Sequence, residues 1–398
     1  MNVLIGVTGG VAAYKVCEVV STLAKSDANV RVIMTERSQD FVSAVTFTAL
    51  SRQPVHTDAD FWSAQQGRPL HIELGEWADV LAIAPITANT VGKLTYGLAD
   101  NLLTNTVLAS VCPVLLAPAM NTDMWQQQAV QRNWIRLLED ARYHAIGPRA
   151  GRLACERVGT GRMAEPVEIL AQIDSLLCTG GQRDLLGKHL LISAGSTQEY
   201  IDPVRFIGNP STGRMGVALA LAATHRGANV TLVHGPMSAE LKATLSNIKT
   251  IGVTNAAQME KALLAELPIS DWTIMAAAVA DVRPTMTAKR KLPKKELPDS
   301  LSLSSVPDIV AQLAALKSPT QKIVGFAAQT GEIVRPALDK LERKQLDAIV
   351  ANPVDKPGSG FGGPGNEATI LAADGRQKSV SQQSKLRLAH QIYDFLLG

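Results

Sequence analysis

Asn2-Val3-Leu4-Ile5-Gly6-Val7-Thr8-Gly9-Gly10, the stretch that opens the chain, decides the fold class. Its first six residues form an apolar run typical of a buried strand, and the glycines that follow predict a tight turn. Apolar residues then recur at helical spacing over residues 12–23, and a second apolar run occupies residues 28–34. Together these segments predict a βαβ unit, and hence an α/β fold in which helices flank a mainly parallel sheet.

The second half of the chain repeats this pattern. Residues 189–195 and 228–233 have the same strand character as the opening unit. Further strands are predicted by apolar runs at residues 80–84, 114–117, 272–281 and 322–328. The Lys- and Pro-rich residues 283–305 are too polar for a core and predict a long mobile loop.

A polar, glycine-bearing break over residues 177–188 separates the two series of strands. Such a break between periodic regions is typical of a domain boundary. We therefore predict two Rossmann-like domains, residues 1–178 and 189–398, joined by a linker over residues 179–188.

Composition limits the classes of function. The chain has 398 residues, a formal net charge of +3 and 46% hydrophobic residues, which favours folded domains and gives no general case for binding nucleic acid or a membrane surface. The four cysteines form no CxxC pair and are too sparse for a disulfide framework, which is typical of proteins in a reducing compartment. No apolar stretch is long enough to span a bilayer, and the first residues lack the basic start of a signal peptide, so we expect a cytoplasmic protein.

Two motifs in the first half follow predicted strand ends. Thr8-Gly9-Gly10 places backbone N–H groups and a helix N-terminus where a phosphate can bind, although it lacks the GxGxxG spacing of a dinucleotide site. Thr87, Ala88 and Asn89 can hold a phosphate or a flavin edge, or can merely cap a helix. On these residues alone, both interpretations stay open.

Three further candidates carry side-chain chemistry. The amide of Asn121, beside Met120, can grip a carboxylate, whereas the nearby Met and Trp side chains are more typical of packing. His71 is a solitary histidine, and such residues are more often structural or exposed than engaged in acid–base chemistry. Cys155 lies in a glycine-rich, basic stretch whose arginines can lower the pKa of its thiol, although cysteines are also commonly inert.

Two segments of the second half are suited to anions. Residues 205–216 place hydroxyls, an amide and two arginines before an Ala- and Leu-rich helix, which favours an anion site at the helix N-terminus. Residues 289–296 form a basic run, either a solvated surface or a clamp for a polyphosphate.

Taken together, these segments resemble the bifunctional phosphopantothenoylcysteine decarboxylase / phosphopantothenate–cysteine ligase family of coenzyme A synthesis, in the same domain order and over nearly the whole chain. The resemblance implies a flavodoxin-like decarboxylase domain followed by a nucleotide-binding ligase domain. It implies that FMN is held by Thr8, Gly9, Gly10, Thr35, Thr87, Ala88 and Asn89. His71 is then expected in the oxidation half-reaction, Asn121 and Met120 at the substrate, and Cys155 as a proton donor on a mobile substrate flap.

For the ligase domain, the resemblance implies CTP as cosubstrate and an acyl-cytidylate that cysteine's amine resolves. Asn209 and Lys291 match positions at the acyl-cytidylate, and Asp281 is the expected carboxylate near Mg²⁺. Substrate and nucleotide positions are matched by Ala277, Asp281, Lys291, Phe326, Lys340 and Lys344. The expected ligands are 4'-phosphopantothenate, L-cysteine and CTP, and the expected assembly combines decarboxylase trimers with ligase dimers.

The chain departs from the family pattern at three places. Glu156-Arg157 stands where the family commonly has Gly and an acidic residue after the flap cysteine. An extra Pro interrupts the lysine run, so Lys291, Lys294 and Lys295 all remain candidates for the phosphate contact. Gln329 stands where an acidic residue is frequent, and no mechanism is attached to it.

Two alternatives from other classes stay open at this point. Glu36, at the end of the second predicted strand, can bind a ribose, which is compatible with a tandem Rossmann oxidoreductase that uses NAD(P). The unusual Glu156-Arg157 pair is compatible with a non-catalytic flavin-binding regulatory protein.

Overall fold

The computed structural model describes residues 1–63, 67–154, 156–246, 248–297, 299–355, 360, 362–363 and 365–398. The chain forms two compact units, Met1–Gln182 and Arg183–Gly398. Within the described ranges, no helix has the length and apolar character needed to cross a membrane. The division of the chain into functional domains at residues 1–178 and 189–398, with a linker over residues 179–188, stays a prediction.

The N-terminal unit alternates strands and helices. Its strands are β1 (Asn2–Val7), β2 (Asn29–Met34), β3 (Val55–His56), β4 (Val80–Ile86), β5 (Val114–Pro118), β6 (Tyr143–Ala145), β7 (Arg149–Arg152) and β8 (Val158–Arg162). Its helices are α1 (Ala13–Ala24), α2 (Ala44–Ser51), α3 (Asp58–Phe61), α4 (Leu70–Trp77), α5 (Ala88–Thr95), α6 (Leu102–Ala109), α7 (Thr122–Gln126), α8 (Gln128–Leu137) and α9 (Pro166–Thr179), with a 3₁₀ turn at Glu36–Ser38.

One parallel sheet organises this unit. Its strand order is β3-β2-β1-β4-β5-β6, and β7 and β8 form a separate antiparallel hairpin. All residues of β4 and β5 are buried, as expected for strands covered by helices on both faces. Because the connections run in opposite directions from β1, a crevice opens beyond the carboxyl ends of β1 and β4.

The C-terminal unit has a larger set of strands. They are β9 (His189–Ala194), β10 (Gln198–Tyr200), β11 (Phe206–Gly208), β12 (Asn229–His234), β13 (Lys249–Gly252), β14 (Trp272–Met275), β15 (Val282–Pro284), β16 (Leu303–Ser305), β17 (Lys322–Gln329), β18 (Ala348–Pro353), β19 (Gly365–Ala372) and β20 (Gln377–Ser384). The helices are α10 (Arg214–His225), α11 (Ala239–Ala243), α12 (Ala256–Glu266), α13 (Ile309–Leu316), α14 (Val334–Arg343) and α15 (Lys385–Leu397), with 3₁₀ turns at Leu267–Ile269 and Lys294–Glu296.

The main sheet of this unit has the order β13-β12-β9-β14-β17-β18-β19-β20. Neighbours from β13 to β18 are parallel, and β19 and β20 add an antiparallel edge. Apolar clusters cover both faces of the sheet. The predicted α/β class with mainly parallel sheets is therefore confirmed for both units.

Two predicted segments differ in the structure. The strand predicted over residues 272–281 ends at Met275, because beyond it the backbone donors turn to neighbouring loops: the N–H of Ala278, for example, donates to the carbonyl of Gly195 at 2.8 Å. The loop predicted over residues 283–305 is not wholly irregular, since β15 and β16 pair as an antiparallel hairpin at its base.

Candidate functional site

A cavity of about 660 Å³ lies at the carboxyl edge of the N-terminal sheet. Its walls come from the turns after β1, β4 and β5, from the start of α1 and from the β7–β8 hairpin. The described lining residues are Gly9, Gly10, Val11, Ala12, Tyr14, Lys15, Thr87, Ala88, Ala119, Met120, Asn121, Met124, Arg152, Leu153, Ala154, Gly161, Arg162 and Met163. Among the predicted residues, it brings together Gly9, Gly10, Thr87, Ala88, Met120 and Asn121.

Thr8 fixes the turns that form the floor of this cavity. Its side chain is buried, and its hydroxyl donates to the carbonyl of Pro85 at 2.7 Å. The same hydroxyl accepts the backbone N–H of Thr87 at 3.1 Å. Thr87 in turn caps α5 by accepting the N–H of Thr90. Thr8 therefore holds the end of β4 in register with the glycine turn but does not itself line the cavity.

The glycine turn leaves room for a bound anion. A Cβ atom at Gly9 would lie 2.7 Å from Cβ of Arg37, so the turn could not pack as it does with a larger residue. Gly10 lines the cavity, and the nearest atom to a Cβ built on it would be Cγ of Pro85 at 3.8 Å. The N-cap residue Ala12 provides no side-chain acceptor for α1. Glycines and a helix N-terminus without a side-chain cap fit the phosphate of a flavin nucleotide.

The substrate-predicted loop is fastened to the β7–β8 hairpin. The N–H of Met120 donates to the carbonyl of Gly161 at 3.0 Å. A Cβ atom at Gly161 would lie 2.2 Å from the carbonyl oxygen of Met120, so this close approach requires glycine. Asn121 caps α7 by accepting the N–H of Asp123 at 2.8 Å. The loop that carries Met120 and Asn121 is thus positioned from both sides.

Charged residues that the sequence interpretation missed line one wall. Lys15 and Arg162 both pair with Glu165, at 2.8 and 2.9 Å. Burial raises the pKa of Glu165, but the hydrogen bond from Lys15 and the charges of Lys15, Arg162 and Arg149 outweigh it, so the pKa is lowered overall. The sequence contained a signal for both, because Lys15 lies in the first turn of the helix that follows the glycine turn, and Arg162 is a basic residue on β8, the strand that follows Cys155 in the sequence.

Several predicted residues lie elsewhere. His71 is on α4, where its ring packs edge-on against Phe61 at 5.4 Å between centroids, and no partner for its buried Nδ1 exists among the described residues. Thr35 follows β2 and donates its N–H to the carbonyl of Val7, and Asn89 is exposed on α5. None of these three belongs to the described cavity lining. Cys155 lies outside the described residues.

A second cavity, of about 570 Å³, lies at the carboxyl edge of the C-terminal sheet. It is bounded by the segment after β14, by the carboxyl ends of β17 and β18, and by the starts of α10, α13 and α15. Among the predicted residues, its lining includes Asn209, Ala277, Asp281, Phe326, Lys340 and Lys344.

The backbone of the segment after β14 forms hydrogen bonds with three side chains. The N–H of Ala277 donates to Oγ of Ser193 at 3.1 Å, and that of Ala280 donates to Oγ1 of Thr197 at 3.0 Å. The amide Nδ2 of Asn209 donates to the carbonyl of Val279 at 3.3 Å. Asn209 therefore has a positioning contact in addition to its place at the cavity.

Two lysines and two carboxylates line one part of the cavity. Nζ of Lys340 donates to the carbonyl of Phe326 at 2.9 Å, and burial, together with the charge of Lys344, lowers the pKa of Lys340. Lys344 pairs with Asp308 at 2.8 Å. Burial raises the pKa of Asp308, but the bonds from Lys344 and from the N–H of Ala311, together with the charges of Lys344 and Lys340, outweigh this and the pKa is lowered overall. The two lysines therefore share this part of the cavity with two carboxylates, since the charges of Asp308 and Asp281 both act on Lys340.

The predicted lysine loop lies apart from the described lining. Lys291, Lys294 and Lys295 are exposed, and none belongs to the lining residues that the structure describes. The loop is anchored next to Lys291, where the N–H of Leu292 donates to Asp202 at 3.2 Å.

Asp281 is an exposed carboxylate at the cavity. The described part of the chain contains no group of three or more His, Cys, Asp or Glu side chains that could hold a metal ion. A single carboxylate fits Mg²⁺ that is bound mainly through substrate phosphates and water.

Sequence reasoning also missed Lys385 and Asn366, which line the second cavity as well. They lie far along the chain from the motifs after β14, and nothing in their local sequence indicates a site. Only the folding of β19 and α15 against the sheet brings them there.

The chain matches two known protein families. Residues 1–178 match the family described as Flavoprotein, and residues 185–398 match the DNA/pantothenate metabolism flavoprotein C-terminal domain. Coenzyme A biosynthesis bifunctional protein CoaBC of Bacillus subtilis (strain 168) is 44% identical over 391 residues, covering 98% of this chain and 95% of the relative. The protein of the same name from Vibrio vulnificus (strain YJ016) is 40% identical over 393 residues, covering 98% of this chain and 96% of that relative. The solved C-terminal domain of a CoaBC protein is 33% identical and covers 54% of this chain and 95% of that chain, with a TM-score of 0.45.

Proposed function

The chain belongs to the family of bifunctional coenzyme A biosynthesis proteins, and from this premise we propose that its two activities are divided between its two units. The protein is a phosphopantothenoylcysteine decarboxylase, which is a carboxy-lyase, and a phosphopantothenate–cysteine ligase, and its cofactor is FMN. The observation that carries the division is that each unit has its own cavity at the carboxyl edge of its own parallel sheet. Family membership does not favour the NAD(P) oxidoreductase or the non-catalytic regulator.

In the N-terminal unit, Gly9, Gly10, Thr87 and Ala88 hold FMN in the cavity, and Thr8 positions their turns. FMN supplies the electron acceptor that loss of CO₂ from a cysteine-derived carboxylate requires. We place Thr35 and Asn89 at the rim of the same site, since both follow the strand ends that frame it.

The chain's own residues then bind the substrate and move protons. Asn121, beside Met120, binds the substrate carboxylate through its amide. Cys155 supplies the proton that completes the saturated thiol product, and His71 acts as the acid–base group of the oxidation half-reaction. Because His71 lies outside the lining of its own chain's cavity, this role requires a neighbouring copy to bring it to the flavin.

The C-terminal unit activates a carboxylate that is otherwise a poor electrophile. CTP is the nucleotide in this proposal, and attack of 4'-phosphopantothenate on its α-phosphorus releases pyrophosphate. Phe326, Lys340 and Lys344 bind the nucleotide, Ala277 contributes backbone donors, and Asn209 and Lys291 contact the acyl-cytidylate. Asp281 holds Mg²⁺ together with the phosphates. Cysteine's amine then displaces CMP.

We further propose a homo-oligomer in which the decarboxylase units form trimers and the ligase units form dimers. We place this assembly in the cytoplasm. Exposed apolar side chains at the flavin cavity support an assembly there: Val11 is 56% exposed, Tyr14 61% and Met124 48%. Such residues are typical of surfaces that a second copy covers.

The test uses the purified full-length chain. Bound flavin is measured by absorbance, and 4'-phosphopantothenate, cysteine, CTP and Mg²⁺ are then supplied while CO₂ and pyrophosphate are followed. The proposal predicts a yellow protein and both products. ATP in place of CTP tests the nucleotide, and omission of Mg²⁺ tests the metal. A colourless protein that binds no FMN, or one that releases no pyrophosphate with either nucleotide, would overturn the corresponding half.

A further inference from the structure

Lys385 is a buried lysine at a cavity wall. It is the first residue of α15, its side chain is only 8% exposed, and it lines the C-terminal cavity beside Asn366. Nζ of Lys385 donates to Oδ1 of Asn366 at 2.8 Å and lies 3.4 Å from the carbonyl oxygen of Gly365. An ammonium group has three donors, so these two contacts orient it without using its full capacity.

No carboxylate balances the charge of Lys385 in the part of the chain that the structure describes. Both acceptors are neutral oxygens, and no carboxylate in the described ranges forms an ion pair with this lysine. Burial lowers the pKa of Lys385 to about 8, and the charge of Arg214 contributes in the same direction. Burying a charge without a counter-ion is costly, so an unpaired cation at a cavity wall points to an anionic ligand.

The surroundings of Lys385 favour the same kind of ligand. Arg214 also lines the cavity and is the first residue of α10, a helix of 12 residues. Its N-cap residue, Gly213, provides no side-chain acceptor, and Ser211 and Thr212 add hydroxyls to the wall. A buried ammonium, a guanidinium, hydroxyls and a helix N-terminus are the donors that bind phosphate oxygens in proteins.

We propose that Lys385, positioned by Asn366, binds a phosphate group of a ligase substrate, with Arg214 as the second cation. This inference rests on the proposed ligase function of the same cavity and deepens it. A nucleoside triphosphate and 4'-phosphopantothenate both offer this chemistry, and the experiment distinguishes them.

The experiment compares Lys385→Gln, Lys385→Arg and Lys261→Gln with the unmodified full-length chain. Gln retains an amide that can donate to Asn366 but carries no charge, whereas Arg retains the charge. Lys261 is an exposed lysine on α12 and serves as the matched control. Binding is measured by calorimetry without cysteine for CTP, cytidine, 4'-phosphopantothenate, pantothenate and inorganic tripolyphosphate.

We expect Lys385→Gln to weaken binding of a phosphorylated ligand by about tenfold or more, the usual scale for loss of a hydrogen bond to a charged group. Cytidine and pantothenate should bind unchanged, and Lys385→Arg should recover most of the affinity. Weakened CTP binding assigns the phosphate to the nucleotide, and weakened 4'-phosphopantothenate binding assigns it to the acyl substrate. Arg214→Gln, at an exposed position, tests the same site without altering a buried side chain.

Equal affinities of Lys385→Gln and the unmodified chain for all three phosphorylated probes would overturn the inference. So would an equal loss for cytidine and pantothenate, since the charge would then not contact phosphate. Tripolyphosphate binding does not depend on ligation. Absence of ligase turnover in the unmodified chain would instead refute the proposed function and leave the phosphate site to be judged by that probe.

Discussion

Replacing Thr8 with Val tests whether the flavin cavity depends on a buried hydroxyl beneath it. Thr8 is 1% exposed, and its hydroxyl serves two backbone groups, the carbonyl of Pro85 and the N–H of Thr87. Val has nearly the same shape, so it fills the space but satisfies neither group. The buried carbonyl of Pro85 and the half-buried N–H of Thr87 would then lose this partner, next to the cavity that Thr87 lines.

The cost follows from those two contacts. Leaving a buried polar group unpaired costs about 1–3 kcal/mol, so two such groups lower stability by roughly 2–6 kcal/mol. If the turns relax to find water and must be restored before FMN binds, a cost of ~2 kcal/mol weakens FMN binding about 30-fold. Thr8→Ser keeps both hydrogen bonds and loses only a methyl group, which costs about 1 kcal/mol.

The assay titrates flavin-free protein with FMN and follows quenching of flavin fluorescence, alongside thermal unfolding of the same samples. We expect Thr8→Val to bind FMN much more weakly and unfold earlier than Thr8→Ser, with ligase activity retained. Equal FMN affinity and equal unfolding temperature for the two variants would refute the reasoning, because the hydroxyl would then contribute nothing to the turns.

Three further outcomes are expected. Gly161→Ala should abolish decarboxylation and spare ligation, because its Cβ would collide with the carbonyl of Met120; normal CO₂ release would contradict this. Asn209→Asp should impair pyrophosphate release with decarboxylation of supplied phosphopantothenoylcysteine intact, since a carboxylate would replace the donor to Val279; loss of both activities would indicate misfolding instead. Burial lowers the pKa of His390 to about 4, so the unfolded chain binds more protons between its usual pKa of about 6.5 and 4. Stability should therefore be complete above that window and fall by roughly 3 kcal/mol as pH drops through it, and chemical unfolding of His390→Gln should show a flatter pH profile.

The elements that local pattern alone determines were predictable. The βαβ opening, β1 through β2, is specified by an apolar run, two glycines and a helical period within about 30 residues of chain, and β4, β5, β12 and β17 are likewise marked by compact apolar runs. The glycine turn and Thr87 also lie where parallel strands end, so their meeting at one cavity followed from the α/β class.

The parts that failed depend on partners distant in sequence. Residues 276–281 are apolar like a strand, yet their N–H groups bond to Ser193, Gly195 and Thr197, which lie about 80 residues earlier in the chain. Lys385 reaches its cavity only because β19 and β20 return antiparallel to the sheet and place the start of α15 beside it. Neither arrangement leaves a signature in a local window.

The distribution of charge explains how a nearly neutral chain handles anionic ligands. In the flavin cavity, Lys15 and Arg162 share the carboxylate of Glu165, and in the ligase cavity Lys344 pairs with Asp308. These cations are already partly neutralised, so an incoming anion must compete with a carboxylate. Lys385 donates only to neutral oxygens. Lys340 also donates to a carbonyl oxygen, but the charges of Asp308 and Asp281 act on it. A phosphate therefore gains more from Lys385 than from the cations that have carboxylates nearby, so loss of this one charge should weaken phosphate binding most.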